Sequence, residues 1–318
     1  MSDGRTVLPC PALASWRGER VLVTGGRGFL GSHLCRRLAE VGADVHATSR
    51  QRRISEQGTT RWWQSDLSSL EEVRSILAQV KPAVIYHLAG VVGARPDLRL
   101  VLPTFESLLA STIQILVGAT EVGCRRVILS GSFTEPKLGE LSSTPSSPYA
   151  AAKWAASAYG RMFHALYRTP TVVVTPFMVF GPCQEPSKLV PSVILSLLKQ
   201  EAPRLASGLR DADWIYVGDV VQGFLDAAAV PGIEGATFEL GTGTKCTIRE
   251  VVEKIVGLMD SRVKPVFGAI PDRPGEPIRI ADTSETRRRL GWSAKTSLDE
   301  GLRQTIQWYA EQVSAGRL

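Results

Sequence analysis

The chain has 318 residues, 44% of them hydrophobic and 21% charged, and a formal net charge of +6. This is ordinary globular composition, long enough for one large domain with a smaller appendage. Cys10, Cys35, Cys124, Cys183 and Cys246 are scattered without a C-x-x-C pair, and the basic runs "RQRR" (50 to 53) and "RRR" (287 to 289) lack interleaved aromatics. That argues against a disulfide framework, a zinc site and a strand-binding groove; with no apolar run of about 18 residues and no signal-type block, it predicts a soluble cytoplasmic protein with no metal, nucleic-acid or membrane partner.

Residues 1–18 are a proline-punctuated N-terminal extension to which the sequence assigns no role. Then "RVLVTGG" has the β-branched content of a strand ending in glycines, and "GSHLCRRLAEVG" carries apolar residues at helical spacing as far as Gly42. The alternation continues with "ADVHATS" (strand), "LEEVRSILAQV" (helix), "AVIYHLAG" (strand), a helix from about Pro103 to Val122, "RRVILSGS" (strand), a helix from Tyr149 and "TVVVTPF" (strand). Strands apolar enough to be buried on both faces, alternating with helices, predict an α/β fold of Rossmann type with a doubly wound parallel sheet over residues 19–180. Residues 181–318 break into proline- and glycine-punctuated segments with helices near 188–200, 247–259 and 298–313. They predict a smaller, partly interleaved C-terminal substrate-binding region with some return to the first domain.

Gly25, Gly28 and Gly31 bracket Phe29 and Leu30 in a G-x-x-G-x-x-G turn between the first strand and helix. Glycine permits a sharp turn and a close approach to a pyrophosphate, which the N–H groups and dipole of the helix N-terminus would hold. Where an NAD-binding protein places an acidic residue for the adenosine ribose, this chain has Ser49 and Arg50 with further arginines behind. A hydroxyl and a guanidinium accept a 2′-phosphate that a carboxylate would repel, so NADP(H) is favoured over NAD(H). Asp66, after a third strand, is placed either to touch the adenine or to begin a helix.

In "SSPYAAAKWAASAYG", Ser147 and Pro148 form a helix start, which puts Tyr149 in the first turn and Lys153 one turn on, on the same side. A nearby ammonium and the positive end of the helix both favour tyrosinate, so the pair suits proton transfer.

With these residues in place the chain resembles the extended short-chain dehydrogenase/reductase family of nucleotide-sugar epimerases, dehydratases and 4-ketoreductases. The resemblance runs from about Arg20 onward and is carried by "TGGRGFLGSHL", "DL" at Asp66 and Leu67, "HLAG" with Leu88 and Ala89, "LSGS" ending at Ser132, and "SPYAAAK". It implies that Ser132 hydrogen-bonds the reacting sugar oxygen, that Tyr149 is the general acid/base, and that Lys153 binds the nicotinamide ribose and lowers the tyrosine pKa. It places Leu67, Leu88 and Ala89 at the cofactor and Thr134 beside the substrate. "GLRDADWIYVGDVV" and "DRPGEP" resemble family segments whose arginines, here Arg210 and Arg273, would bind the substrate diphosphate. Helices near 103–122 and 149–168 resemble those that relatives pack into a four-helix homodimer interface.

Departures narrow the activity. The Asp-Glu pair of the family's dehydratases is absent, Ser132 being followed by Phe133, Thr134 and Glu135, and Met178 stands where relatives carry an asparagine toward the nucleotide. The expectation is an NADPH-dependent 4-ketoreductase of a nucleotide-linked 4-keto sugar. A C4 epimerase with tightly bound NAD, a reductase of non-sugar carbonyls and a non-catalytic cofactor-binding protein stay open as alternatives.

Overall fold

The computed structural model describes residues 16–50, 59–93, 95–136, 144–272 and 278–318. Strand β1 (Arg20–Thr24) leads into helix α1 (Phe29–Glu40), β2 (Asp44–Ser49), β3 (Arg61–Gln64), α2 (Leu70–Val80) and β4 (Val84–His87). A long helical run follows: a 3-10 turn (Leu98–Leu100), α3 (Val101–Thr104), a π-helical turn (Phe105–Ala110) and α4 (Ser111–Val122). Next come β5 (Arg126–Ser130), α5 (Pro148–Tyr167), β6 (Thr171–Pro176), β7 (Met178–Phe180) and α6 (Leu189–Leu198). The remainder comprises β8 (Asp211–Ala212), β9 (Trp214–Tyr216), α7 (Val217–Ala229), β10 (Thr237–Leu240), β11 (Cys246–Thr247), α8 (Ile248–Leu258), α9 (Ser284–Leu290) and α10 (Leu298–Ser314).

Seven strands form one parallel sheet in the order β10-β6-β5-β4-β1-β2-β3. The sheet is the doubly wound one the alternation predicts, and the order reverses between β1 and β4. A crevice therefore opens beyond the carboxyl ends of those two strands, where such sheets bind ligands. One face packs Val21, Val23, Val45 and Tyr86 against α1 and α7; the other packs Leu22, Ile85, Val127 and Leu129 against α2, α4 and α5. Each of the aliphatic side chains named is almost wholly buried, so each stabilises the fold by about 1.5–3 kcal/mol relative to exposure. A third core joins α6, α8 and α10 to β9 through Ile194, Val251, Ile255, Leu302 and Tyr309.

The long helical run bears out the helical reading of its sequence, with one added feature, and corrects another expectation. The stretch near Pro103 to Val122 is not one regular α-helix. Pro103 has no N–H to give, while Thr104, Ser107, Ser111 and Thr112 hydroxyls donate to carbonyls four residues back, at 2.5–2.7 Å. Such bonds compete with the regular ladder and open the wide π turn. Second, the run Leu98–Val122 is long and apolar enough, by length and composition, to cross a membrane, whereas the sequence reading found no such run. The polar residues interleaved along it hid its length; in the fold its π turn and α4 pack on α2 and α5.

Candidate active site

The turn after β1 is closed by the Gly28 N–H donating to the Gly25 carbonyl at 2.9 Å, and Gly25 has φ +69°. A Cβ on Gly31 would stand 2.2 Å from the Gly25 carbonyl oxygen, and one on Gly25 would stand 2.8 Å from the Ala89 backbone. The spacing of these glycines is therefore a packing requirement of a turn laid against the loop after β4. Thr24 joins the two loops, its hydroxyl oxygen accepting from the N–H groups of Leu88 (3.1 Å) and Ala89 (3.2 Å) and lying 2.8 Å from His87 Nδ1. Phe29 and Leu30 open α1, whose N-cap Gly28 offers no side-chain cap. A helix N-terminus left open in this way suits an anionic group.

Ser49 ends β2 half-buried and Arg50 is exposed beside it; the arginines at 52 and 53 lie outside the described residues. Arg50 and Asp66 line one open cleft of about 590 Å³ with Trp63 and Gln64. Asp66 does not cap α2. Ser69 does so by accepting from the Glu72 N–H, while Asp66 Oδ1 accepts from the Ser68 N–H and hydroxyl, which holds its carboxyl below the usual range. Leu67 is buried beneath it.

Ser147 caps α5 by accepting from the Ala150 N–H at 3.2 Å with Pro148 in the first turn, as the sequence predicts. The turn of helix that follows buries Tyr149 and Lys153 together with Ser132, which lies just beyond β5. Tyr149 packs on Leu108, Leu109 and Ala152 and hydrogen-bonds the Ser132 side chain. The Ser132 hydroxyl lies 2.9 Å from that of Thr134 and accepts from the Thr134 N–H at 3.2 Å. Lys153 Nζ donates to the Ser130 carbonyl at 2.6 Å.

Burial dominates the electrostatics of this centre. Burial pushes the Tyr149 phenol up to about 12, outweighing the Ser132 hydrogen bond, and the Glu135 charge pushes the same way. Burial also brings the Lys153 ammonium down to about 8, against the Glu135 carboxylate. Burial thus favours the protonated phenol, while the Lys153 ammonium donates to Ser130.

Beneath this centre His87 touches the Thr24 hydroxyl on one side and, at 3.4 Å, Ser111 on the other. Burial lowers its pKa to about 3, with Lys153 adding to the effect. Because the unfolded imidazole takes a proton below about 6.5 and the folded one does not, stability falls as pH drops from there toward 3, by about 1.4 kcal/mol per unit. Melting temperatures measured from pH 7.5 to 4.5 should fall more steeply for the wild type than for His87→Gln; parallel curves would refute this.

The two predicted substrate arginines lie in the C-terminal half. Arg210 is half-buried just before β8, and its carbonyl accepts from the Ile248 N–H at 3.1 Å. Arg273 lies outside the described residues, but Asp272 beside it accepts from the Ser207 N–H (3.1 Å) and hydroxyl (2.9 Å), which ties the two segments together. Met178 is half-buried in β7, its N–H donating to the Asp213 carbonyl.

The sequence reading missed three groups here. Asp213 is fully buried and accepts from the N–H groups of Thr242, Gly243 and Ala281 and from the Thr242 hydroxyl. Glu135 is buried against the Ser132 N–H, and burial raises its carboxyl above the usual range. Arg279 reaches the same turn from the C-terminal segment. Asp213 was discoverable in "RDADW" as a charge inside a strand pattern; the other two had no local signal.

Sheet, glycine turn and the buried Ser132, Tyr149 and Lys153 define an enzyme of the Rossmann-type dehydrogenase/reductase class. Residues 21–241 match the profile of the NAD dependent epimerase/dehydratase family, and the chain belongs to that family, the extended short-chain dehydrogenase/reductases. It is 28% identical to the dTDP-glucose 4,6-dehydratase of Neisseria gonorrhoeae, over 92% of this chain and 96% of that protein. It is also 28% identical to the UDP-glucose 4-epimerase of Mycolicibacterium smegmatis, over 91% and 98%. Among solved structures, MoeE5 in complex with UDP-glucose and NAD superposes with a TM-score of 0.83 at 28% identity, over 93% of this chain and 100% of that one.

Proposed function

We propose that the protein is an NADPH-dependent 4-ketoreductase of a nucleotide-linked 4-keto sugar. The observation that carries this reading is the burial of Tyr149 together with Ser132 and Lys153, which pushes the phenol up and favours its protonated form. A group in that state is ready to give a proton to an oxygen gaining negative charge, which is what reduction of a ketone requires. Ser132 holds the same oxygen, and Lys153, charged below about pH 8, lends it positive potential.

The residues fit a dinucleotide cofactor, since the turn at Gly25, Gly28 and Gly31 leaves no room for a Cβ at Gly31 and ends in an open helix N-terminus. These glycines would hold its pyrophosphate, Leu88 and Ala89 would line its crevice, and Ser49 with Arg50 would take a 2′-phosphate. Bound there, a nicotinamide supplies the hydride. Residues 19–180 would thus carry the cofactor, while 181–318 mainly carry the substrate, with Arg210 and Arg273 on its diphosphate and Thr134 and Met178 near the sugar or nucleotide.

The family relation to a UDP-glucose 4-epimerase and the NAD bound in MoeE5 favour a second reading, an NAD-dependent C4 epimerase. The absence of an Asp-Glu pair after Ser132 speaks against a dehydratase.

Thermal shift with NAD, NADP, UDP and dTDP, singly and in pairs, separates these readings, because a ligand of the folded state raises apparent stability by about 2.7 kcal/mol at a hundred times its Kd. Stabilisation by NADP together with one nucleoside diphosphate is the expected result. NAD alone, or cofactor retained through purification, points to the epimerase; no response to any nucleoside diphosphate overturns both.

A second copy of the chain is proposed as a partner. Leu98, Leu102 and Phe105 on the long helical run and Leu166 and Tyr167 on α5 are exposed apolar side chains on the two helices that the family resemblance assigns to a dimer interface. Sedimentation as a monomer at micromolar concentration would remove this proposal.

A further inference from the structure

The turn that carries Ser132 is gripped from two directions. From within, the Ser132 carbonyl accepts from the Glu135 N–H at 3.0 Å, and the Glu135 carboxylate accepts from the Ser132 N–H at 2.6 Å. From outside, Arg279 Nη1 donates to the carbonyls of Phe133 (2.9 Å) and Glu135 (2.7 Å), while Nη2 donates to Glu239 at 2.5 Å. The Arg279 guanidinium is 12% exposed and lies 5.7 Å from the centre of the Phe177 ring, which in turn stacks on Phe133.

A buried ion pair is a weak source of stability, since well-packed apolar residues often serve as well. A fork of fixed donors supplies what an apolar residue cannot, a set direction for each carbonyl it holds. The segment that carries Arg279 is itself anchored. Glu239 also accepts from the Asp282 N–H at 2.8 Å, and Asp213 accepts from the Ala281 N–H at 3.1 Å. Asp213 thus ties the Arg279 segment to the loop after β10.

We propose that Arg279 is a positioning residue for the reaction: held by Glu239, it grips the carbonyls of Phe133 and Glu135 and fixes the turn that presents the Ser132 hydroxyl beside Tyr149. The catalytic limb of this inference rests on the ketoreductase reading; the positional limb does not.

The test compares wild type, Arg279→Lys, Ser132→Ala and the double variant. Lysine can still pair with Glu239 as a point charge but cannot bridge two carbonyls at the same time. Arg279→Lys should keep its Tm within a few degrees, while amide hydrogen exchange at Phe133 to Glu135 speeds by about tenfold or more. With NADPH and a nucleoside-diphosphate 4-keto sugar, kcat should fall about tenfold and KM should change less than about twofold. In the Ser132→Ala background the same change should cost less than about twofold more, because its effect passes through Ser132. Unchanged exchange at those amides, or full additivity with Ser132→Ala, overturns the proposal. Should Arg279→Lys fail to fold, Arg279→Gln carries the same readings. If the wild type reduces no 4-keto sugar, the ketoreductase reading fails separately and the exchange rates alone decide the positioning role.

Discussion

Replacing Tyr149 by phenylalanine is expected to lower kcat by about a thousandfold, within the range positioned acids contribute, while cofactor affinity stays within about twofold. The ring sits against Leu108, Leu109 and Ala152, so an apolar ring of the same shape keeps its packing and the fold survives. What disappears is the hydroxyl that hydrogen-bonds Ser132 and stays protonated to about pH 12. No described neighbour takes its place: His87 is neutral and packed beneath, and Lys153 faces the Ser130 carbonyl. Steady-state turnover beside a fluorescence titration of bound NADPH separates the two effects. Retention of a tenth or more of the wild-type rate would remove Tyr149 as the acid.

The second large effect is expected at Gly31, where alanine should cost about 3 kcal/mol of stability or more and lower dinucleotide affinity by at least about a hundredfold. Its Cβ would lie 2.2 Å from the Gly25 carbonyl oxygen and 2.9 Å from Gly26 Cα. These are backbone atoms, so relief requires the turn itself to open, and opening it pulls Gly25 off the Ala89 loop. Gly28 provides the internal control, since a Cβ there meets only the Gly25 carbonyl oxygen at 3.2 Å. Melting temperatures and cofactor titrations of Gly28→Ala and Gly31→Ala should rank in that order; equal effects at the two positions would show that the turn yields more freely than its geometry implies.

The parts of this molecule that could be read from sequence are those set by neighbours in the chain. β1, the glycine turn and α1 are contiguous, and so are Ser147, Pro148 and the helix they start, so local chemistry specifies each. Asp66 was ambiguous because an acidic residue before a helix serves either as a cap or as a turn, and only the structure shows Ser69 taking the first role. β10 returns from the C-terminal half to pair with β6, a contact that no local pattern announces in the four residues Thr237–Leu240. The partner of the Lys153 ammonium was hidden for a related reason. Helical spacing places Lys153 near Tyr149, but the Ser130 carbonyl that captures the ammonium belongs to β5. Glu135 and Arg279 meet the Ser132 turn only through tertiary packing, so their residue types carried no positional information.

The π turn at Phe105–Ala110 separates the long helical run into two segments that are out of phase with each other. Leu108, inside it, packs on Tyr149, and a Cβ on Gly90 would meet it at 2.0 Å. Leu98 and Leu102, before it, face outward. The outer segment thus turns these side chains to solvent while the inner one is locked against the residue that carries the proton, so a substitution at Leu98 or Leu102 leaves the packing of Leu108 on Tyr149 in place.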